Sequence, residues 1–196
     1  MSLDVVRIAR AAHFAAQRHA GQSRKGSNQE PYVVHLAEVA ALLAEATDGD
    51  DADLIAAGWL HDAIEDQGVT RPELAEAFGE GVADLVCEVT DDKKLDKAER
   101  KQRQVEEVAR KSVRARLLKL ADKASNVSAI ADDPPADWPD ERLRDYVRWG
   151  LTVVDAGCRN LNSALEERFE QAVARAEDRF GPVRDRPWRK EDYVWG

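Results

Sequence analysis

The sequence predicts an all-α fold of roughly eight to ten helices in a single domain. Three observations predict it. Apolar residues recur at three- and four-residue steps almost throughout. Breaker-rich segments of Gly, Pro, Ser, Asn and Asp separate the periodic stretches, and no stretch shows convincing strand-type alternation.

The first helix carries Val5, Ile8, Ala12, Ala15 and His19 as one apolar stripe. The segment GQSRKGSNQEP, 21–31, breaks that pattern and reads as an exposed loop. A second helix runs from about Tyr32 to Ala46, and TDGDDAD ends it. A third, nearly all-apolar helix follows with Leu54, Ile55, Ala57, Gly58, Leu60 and Ile64, and is expected to be the buried one. Thr70-Arg71-Pro72-Glu73 has the form of a capping box that opens a short helix, which Gly79 closes. Further helices are predicted over 80–89, 97–111 and 113–130. The prolines of ADDPPADWPD enforce a loop, and helix resumes from Asp140 to about Arg179, with Gly157 as a bend or join. The tail GPVRDRPWRKEDYVWG has no period and reads as an extension packed on the surface. The domain is therefore divided as 1–165, with 166–196 as a helical end and irregular extension.

Composition narrows the function classes. The 196 residues are 43% hydrophobic and 34% charged, with a net charge of −9, too apolar for a disordered chain. The acidic balance argues against a protein that coats nucleic acid. No apolar run approaches the ~20 residues of a membrane-spanning helix. Charges throughout the first 20 residues exclude the apolar core of a secretory signal, so Cys87 and Cys158 are expected as reduced thiols in a cytoplasmic protein. Oligomeric state is not legible.

Chemistry concentrates in WLHDAIED. Helical spacing puts His61 and Glu65, and likewise Asp62 and Asp66, on one flank. Three carboxylates that close repel unless a cation lies among them. His35 on the second helix and Asp122 in the largely apolar LLKLADKASN complete a mixed nitrogen and oxygen set, with Asn126 four residues beyond Asp122. Such a set suits one divalent Mn, Fe, Co, Ni or Zn ion. Glu65 and Asp66 are then free to hold or deprotonate an attacking water. Each residue also has an ordinary role open to it: His35 as a packing histidine, Asp122 as a salt-bridge partner of Lys119 or Lys123, Glu65 and Asp66 as a solvated helix end. The joint pattern on two apolar helices points to the metal. Arg24 and Lys25 in the loop, Lys97, and the facing pair Arg142 and Tyr146 suit an anionic nucleotide, or ordinary solvated surface. His13 and His19 read as packing or surface residues.

These residues and the blocks around them, AAHFAAQRHAGQSRKGSNQEPYVVHLAEVA, AGWLHDAIEDQG, FGEGVADLVCEVTDDKKL and LLKLADKASNVSAI, resemble the HD-domain phosphohydrolases. Within them, the chain is most similar to the hydrolase domain of RelA/SpoT proteins in its stand-alone form, the small alarmone hydrolases, from about Arg7 to Leu165. The resemblance implies an HD-type helical bundle and Mn-dependent hydrolysis of ppGpp to GDP, or pppGpp to GTP, as in the stringent response. It implies His35, His61, Asp62 and Asp122 as metal ligands, with Glu65 and Asp66 placing and activating the water. It further implies Arg24 against the guanine with Lys25 beside it, Asn126 near ribose and base, and Lys97, Arg142 and Tyr146 on the nucleotide. No synthetase activity is expected. Three positions depart from the family pattern: Leu36 follows His35 in place of Pro, Gln67 follows Asp66 where Thr is common, and Lys123-Ala124-Ser125 lacks the usual bulk before Asn126. Two other functions fit the same residues: a phosphatase for another ribose-phosphorylated nucleotide such as NADPH, and a non-catalytic nucleotide sensor.

Overall fold

A computed structural model of the chain describes residues 3–195. Among these, ten α-helices and two short 3₁₀ turns form the structure, and the sole β feature is an isolated bridge between Ser23 and Pro31 that closes the loop after the first helix. The all-α expectation holds, and no described helix is long and apolar enough to cross a membrane. The chain falls into two compact units. One takes in the chain up to Arg24 and Glu30–Asp91; the other takes in Lys25–Gln29 and the chain from Asp92 onward.

The first unit contains α1 (Leu3–Arg18), α2 (Tyr32–Ala46), α3 (Ala52–Leu60), α4 (Ala63–Gln67), α5 (Arg71–Phe78) and α6 (Glu80–Val89). The apolar α3 packs against α1, α2 and α6, as its composition requires. Its Gly58 lets α2 approach closely: a Cβ there would lie 2.8 Å from Leu43 Cδ1 and 3.1 Å from Ala40 Cα. Asp51 caps α3 by accepting from the Leu54 amide at 3.0 Å. The Thr70–Glu73 capping box forms as predicted. In α1 the buried residues are Ala11 and Ala15, whereas Val5 is exposed and lines an open groove with Phe14 and Phe78.

The predicted third helix is in fact two. α3 ends at Leu60 and α4 begins at Ala63, with Asp62 at φ −98° and ψ 0° between them. Asp62 O still accepts from the Asp66 amide at 2.8 Å, so the chain keeps a helical path without continuous helical dihedrals. Gly68, at φ 66°, ends α4.

The second unit contains α7 (Lys97–Glu107), a 3₁₀ turn (Val108–Arg110), α8 (Val113–Asp132), α9 (Asp140–Gly157), α10 (Ser163–Phe180) and a second 3₁₀ turn (Lys190–Asp192). α8 lies along α10, and α9 packs against α7, α8 and α10 around Leu118, Leu120, Val147 and Phe169. Gly157 is the join between α9 and α10; a Cβ there would meet Ala109 N at 2.7 Å. Residue 166 falls inside α10. The irregular tail is anchored by buried Val183 and Trp188, and by Lys190 Nζ on Glu99 at 2.5 Å.

Candidate metal centre and nucleotide-facing residues

His35 and His61 are buried, and Asp62 is half-buried. One ligand atom from each lies within 4.8 Å of the others. The folding that brings them together is local. α2 presents His35 on its inner face beside Leu36 and Val39, while the α3–α4 joint presents His61 and turns Asp62 toward both rings. Asp62 Oδ2 is 3.1 Å from His61 Nε2 and 3.8 Å from His35 Nε2. The two rings meet edge to face at 5.2 Å.

Two further contacts fix how these groups present themselves. His61 Nδ1 lies 2.8 Å from the Gly58 carbonyl, which can only accept, so Nδ1 carries the proton and Nε2 offers the lone pair. Tyr32 donates its hydroxyl to Asp62 Oδ2 at 2.6 Å. A ring nitrogen with its tautomer set by a carbonyl, and a carboxylate oriented by a phenol, is the support that metal ligands characteristically receive. The donor set, two imidazoles and a carboxylate with no thiolate, fits a borderline divalent ion.

Glu65 and Asp66 stand on α4, shortly after the His61–Asp62 pair. Asp66 is exposed and accepts from Gln22 Nε2 at 2.9 Å. The buried His19 stacks on Tyr32 at 5.4 Å and 15°, so it is a packing residue as expected, and His13 is exposed. Arg24 N donates to Glu30 O, and its largely buried guanidinium lies 3.7 Å from Glu38.

The other assigned residues lie in the second unit. Asp122 is buried on α8; Oδ1 accepts from Asn126 at 2.6 Å and Oδ2 from Lys123 at 3.0 Å. The ion pair with Lys123 is the ordinary role the sequence left open for Asp122. Lys97 is exposed at the start of α7. Arg142 and Tyr146 share a face of α9 and both meet Trp138: the guanidinium lies 4.2 Å over that ring, and the Tyr146 ring is 5.9 Å from it. Lys25 approaches the same ring at 5.9 Å. Its loop is latched to α8, because Ser27 Oγ and the Asn28 amide both donate to Asp133. Gly26 is required there, since a Cβ would clash with that carboxylate and lie 2.7 Å from Asp133 O.

Beside this cluster, Lys101 Nζ sits over Trp149 at 4.4 Å, Tyr193 at 4.9 Å, Tyr146 at 5.1 Å and Trp188 at 5.7 Å. Burial pulls the Lys101 ammonium down to about 7. Sequence reasoning missed Tyr32, Gln22, Trp138 and Lys101. Tyr32 carried a usable signal, lying three residues before His35 and so on its helix face. Lys101 carried none, because its rings come from α9 and the tail.

A family model described as HD domain matches residues 11–146, more than half of the chain. The chain is 39% identical over 170 residues to guanosine-3′,5′-bis(diphosphate) 3′-pyrophosphohydrolase MESH1 of Xenopus tropicalis, covering 87% of this chain and 94% of that one. The human protein of that name gives the same identity and coverage. A solved structure described as a metazoan ortholog of SpoT that hydrolyzes ppGpp superposes with a TM-score of 0.82 at 35% identity, covering 90% of this chain and 97% of that one.

Proposed function

The chain belongs to the HD-domain family, and we propose that it removes the 3′-pyrophosphate of guanosine alarmones in a divalent-metal-dependent hydrolysis. ppGpp would give GDP and pppGpp would give GTP, each with pyrophosphate. The observation that carries this reading is the convergence of His35, His61 and Asp62 directly before Glu65 and Asp66. Relatives of closely matching length bear that activity in their names.

His35, His61 and Asp62 would hold the ion, with Asp122 as the fourth protein ligand. Mn is the metal we propose. When bound, such an ion polarises a phosphoryl oxygen and acidifies water. Glu65 and Asp66 take the proton of the attacking water. The water oxygen adds to the phosphorus attached to the ribose 3′-oxygen, that P–O bond breaks, and the 3′-oxygen leaves with a proton. Arg24, Lys25, Lys97, Asn126, Arg142 and Tyr146 would bind the nucleotide. The Arg142–Trp138–Lys25 cluster supports this, since it offers cations for phosphate and ring faces for a base. The free state of Cys87 and Cys158 is in keeping with a cytoplasmic setting.

The test is a product assay on metal-stripped protein resupplied with Mn, offered ppGpp and NADPH separately. GDP and pyrophosphate from ppGpp, absent without Mn and absent in Glu65→Ala, is the expected result. Phosphate released from NADPH alone would move the substrate. Turnover of neither, with metal bound, would leave a nucleotide sensor.

A further inference from the structure

Gln22 lies in the turn after α1, and its main chain is tied on both sides. Its amide donates to His19 O at 3.0 Å, and its carbonyl accepts from the Tyr32 amide at 2.8 Å. Its side chain reaches Asp66, with Nε2 donating to Oδ2 at 2.9 Å. An ionised carboxylate only accepts, so this bond fixes which way the Gln22 amide points. Gln22 Oε1 then faces His19 Nδ1 at 2.7 Å and Gln67 Nε2 at 2.5 Å. Both must donate, and together they fill the two lone pairs of that oxygen. The 3.3 Å approach of Gln67 Nε2 to His19 Nδ1 is that of two donors sharing one acceptor.

The far end of this chain is rigid. His19 is 2% exposed and stacked on Tyr32, the residue that orients Asp62. The near end is an exposed carboxylate on the five-residue α4, one oxygen of which Gln22 Nε2 engages. Gln67 stands where Thr is common in the family the chain resembles, and a threonine side chain carries no amide to offer Gln22 Oε1.

We propose that Gln22 is a positioning residue for Asp66, its amide locked by His19 and by Gln67. The three side chains hold the plane of the Asp66 carboxylate, and with it the direction in which Oδ1 meets the attacking water. This rests on the reading of Asp66 as a water-handling group.

The full chain, loaded with Mn and given ppGpp, tests it. Gln22→Leu keeps most of the aliphatic bulk, one atom shorter, and removes the amide. It should lower kcat about tenfold with KM changed less than about twofold. In an Asp66→Ala background, Gln22→Leu should add no further loss. Gln67→Leu should act in the same direction, more weakly, and covers the case in which Gln22→Leu fails to fold. A Gln22→Leu protein with wild-type kcat, or equal losses in both backgrounds, would overturn the proposal. A wild-type chain inactive on ppGpp would overturn the substrate reading instead. In that event the Gln22 side-chain amide protons still decide the contact: they should exchange slowly in the wild type and fast in Asp66→Ala, and equal rates would overturn it.

Discussion

The Tyr32 hydroxyl donates to Asp62 Oδ2 at 2.6 Å, and this is the oxygen that faces His61 Nε2 at 3.1 Å. One phenol therefore sets the orientation of the carboxylate around which both imidazoles converge. Tyr32→Phe keeps the ring that stacks on His19 and removes only that bond. It should weaken Mn binding by about 10- to 100-fold while leaving helical content unchanged. Calorimetric titration with Mn, beside a circular dichroism spectrum, checks both halves of this expectation.

Metal binding should also show as stability. A ligand that binds only the folded chain, present at a hundred times its dissociation constant, adds about 2.7 kcal/mol. Thermal melts should rise on adding Mn to the stripped protein and fall back with chelator. His35→Ala, which removes a buried imidazole proposed to hold the ion, should abolish the rise.

The Asp133 latch should open in acid. The Ser27 hydroxyl bond holds the Asp133 carboxyl below its ordinary value of 3.8. A depressed carboxylate contributes stability that is fully present above the unfolded value and is lost as pH falls through the folded one. The Asn28 amide, bonded to Asp133 at 3.1 Å, should accordingly keep its chemical shift down to about pH 4 and move below it. Asp133→Ala should abolish this pH-dependent movement.

Lys101 should give a slope of the same sign in an alkaline window. Its folded value of about 7 lies below the 10.5 of the free side chain, so unfolding takes up a proton between those limits. Stability from this group rises with pH across that window and is flat beneath it. Urea unfolding of the wild type and of Lys101→Met at a series of pH values should show the slope lost in the variant.

Gly157→Ala should destabilise the second unit. The added Cβ would lie 2.7 Å from Ala109 N and 2.8 Å from Ala109 Cα, and backbone cannot swing aside as a side chain can. A loss of about 1–3 kcal/mol is expected from such overpacking, measurable by urea unfolding.

The sequence by itself determined the helices whose ends carry local chemistry. The Thr70–Glu73 capping box, the Pro-rich break before Asp140 and the Gly157 join all lie where short-range rules put them, because capping and backbone restriction act within a few residues. The histidine and aspartate of one dipeptide, with a histidine on the preceding helix, were legible for the same reason: few roles suit such groups on apolar helices. Tertiary structure alone decided the rest. It broke the predicted third helix at His61–Asp62, where periodicity continues but the dihedrals of Asp62 do not. It placed Tyr32 on Asp62, Gln22 on Asp66 and four rings around Lys101. Contacts between residues tens of positions apart leave no local period, and a hydrogen bond 2.6 Å long depends on how whole helices pack rather than on the residues beside it.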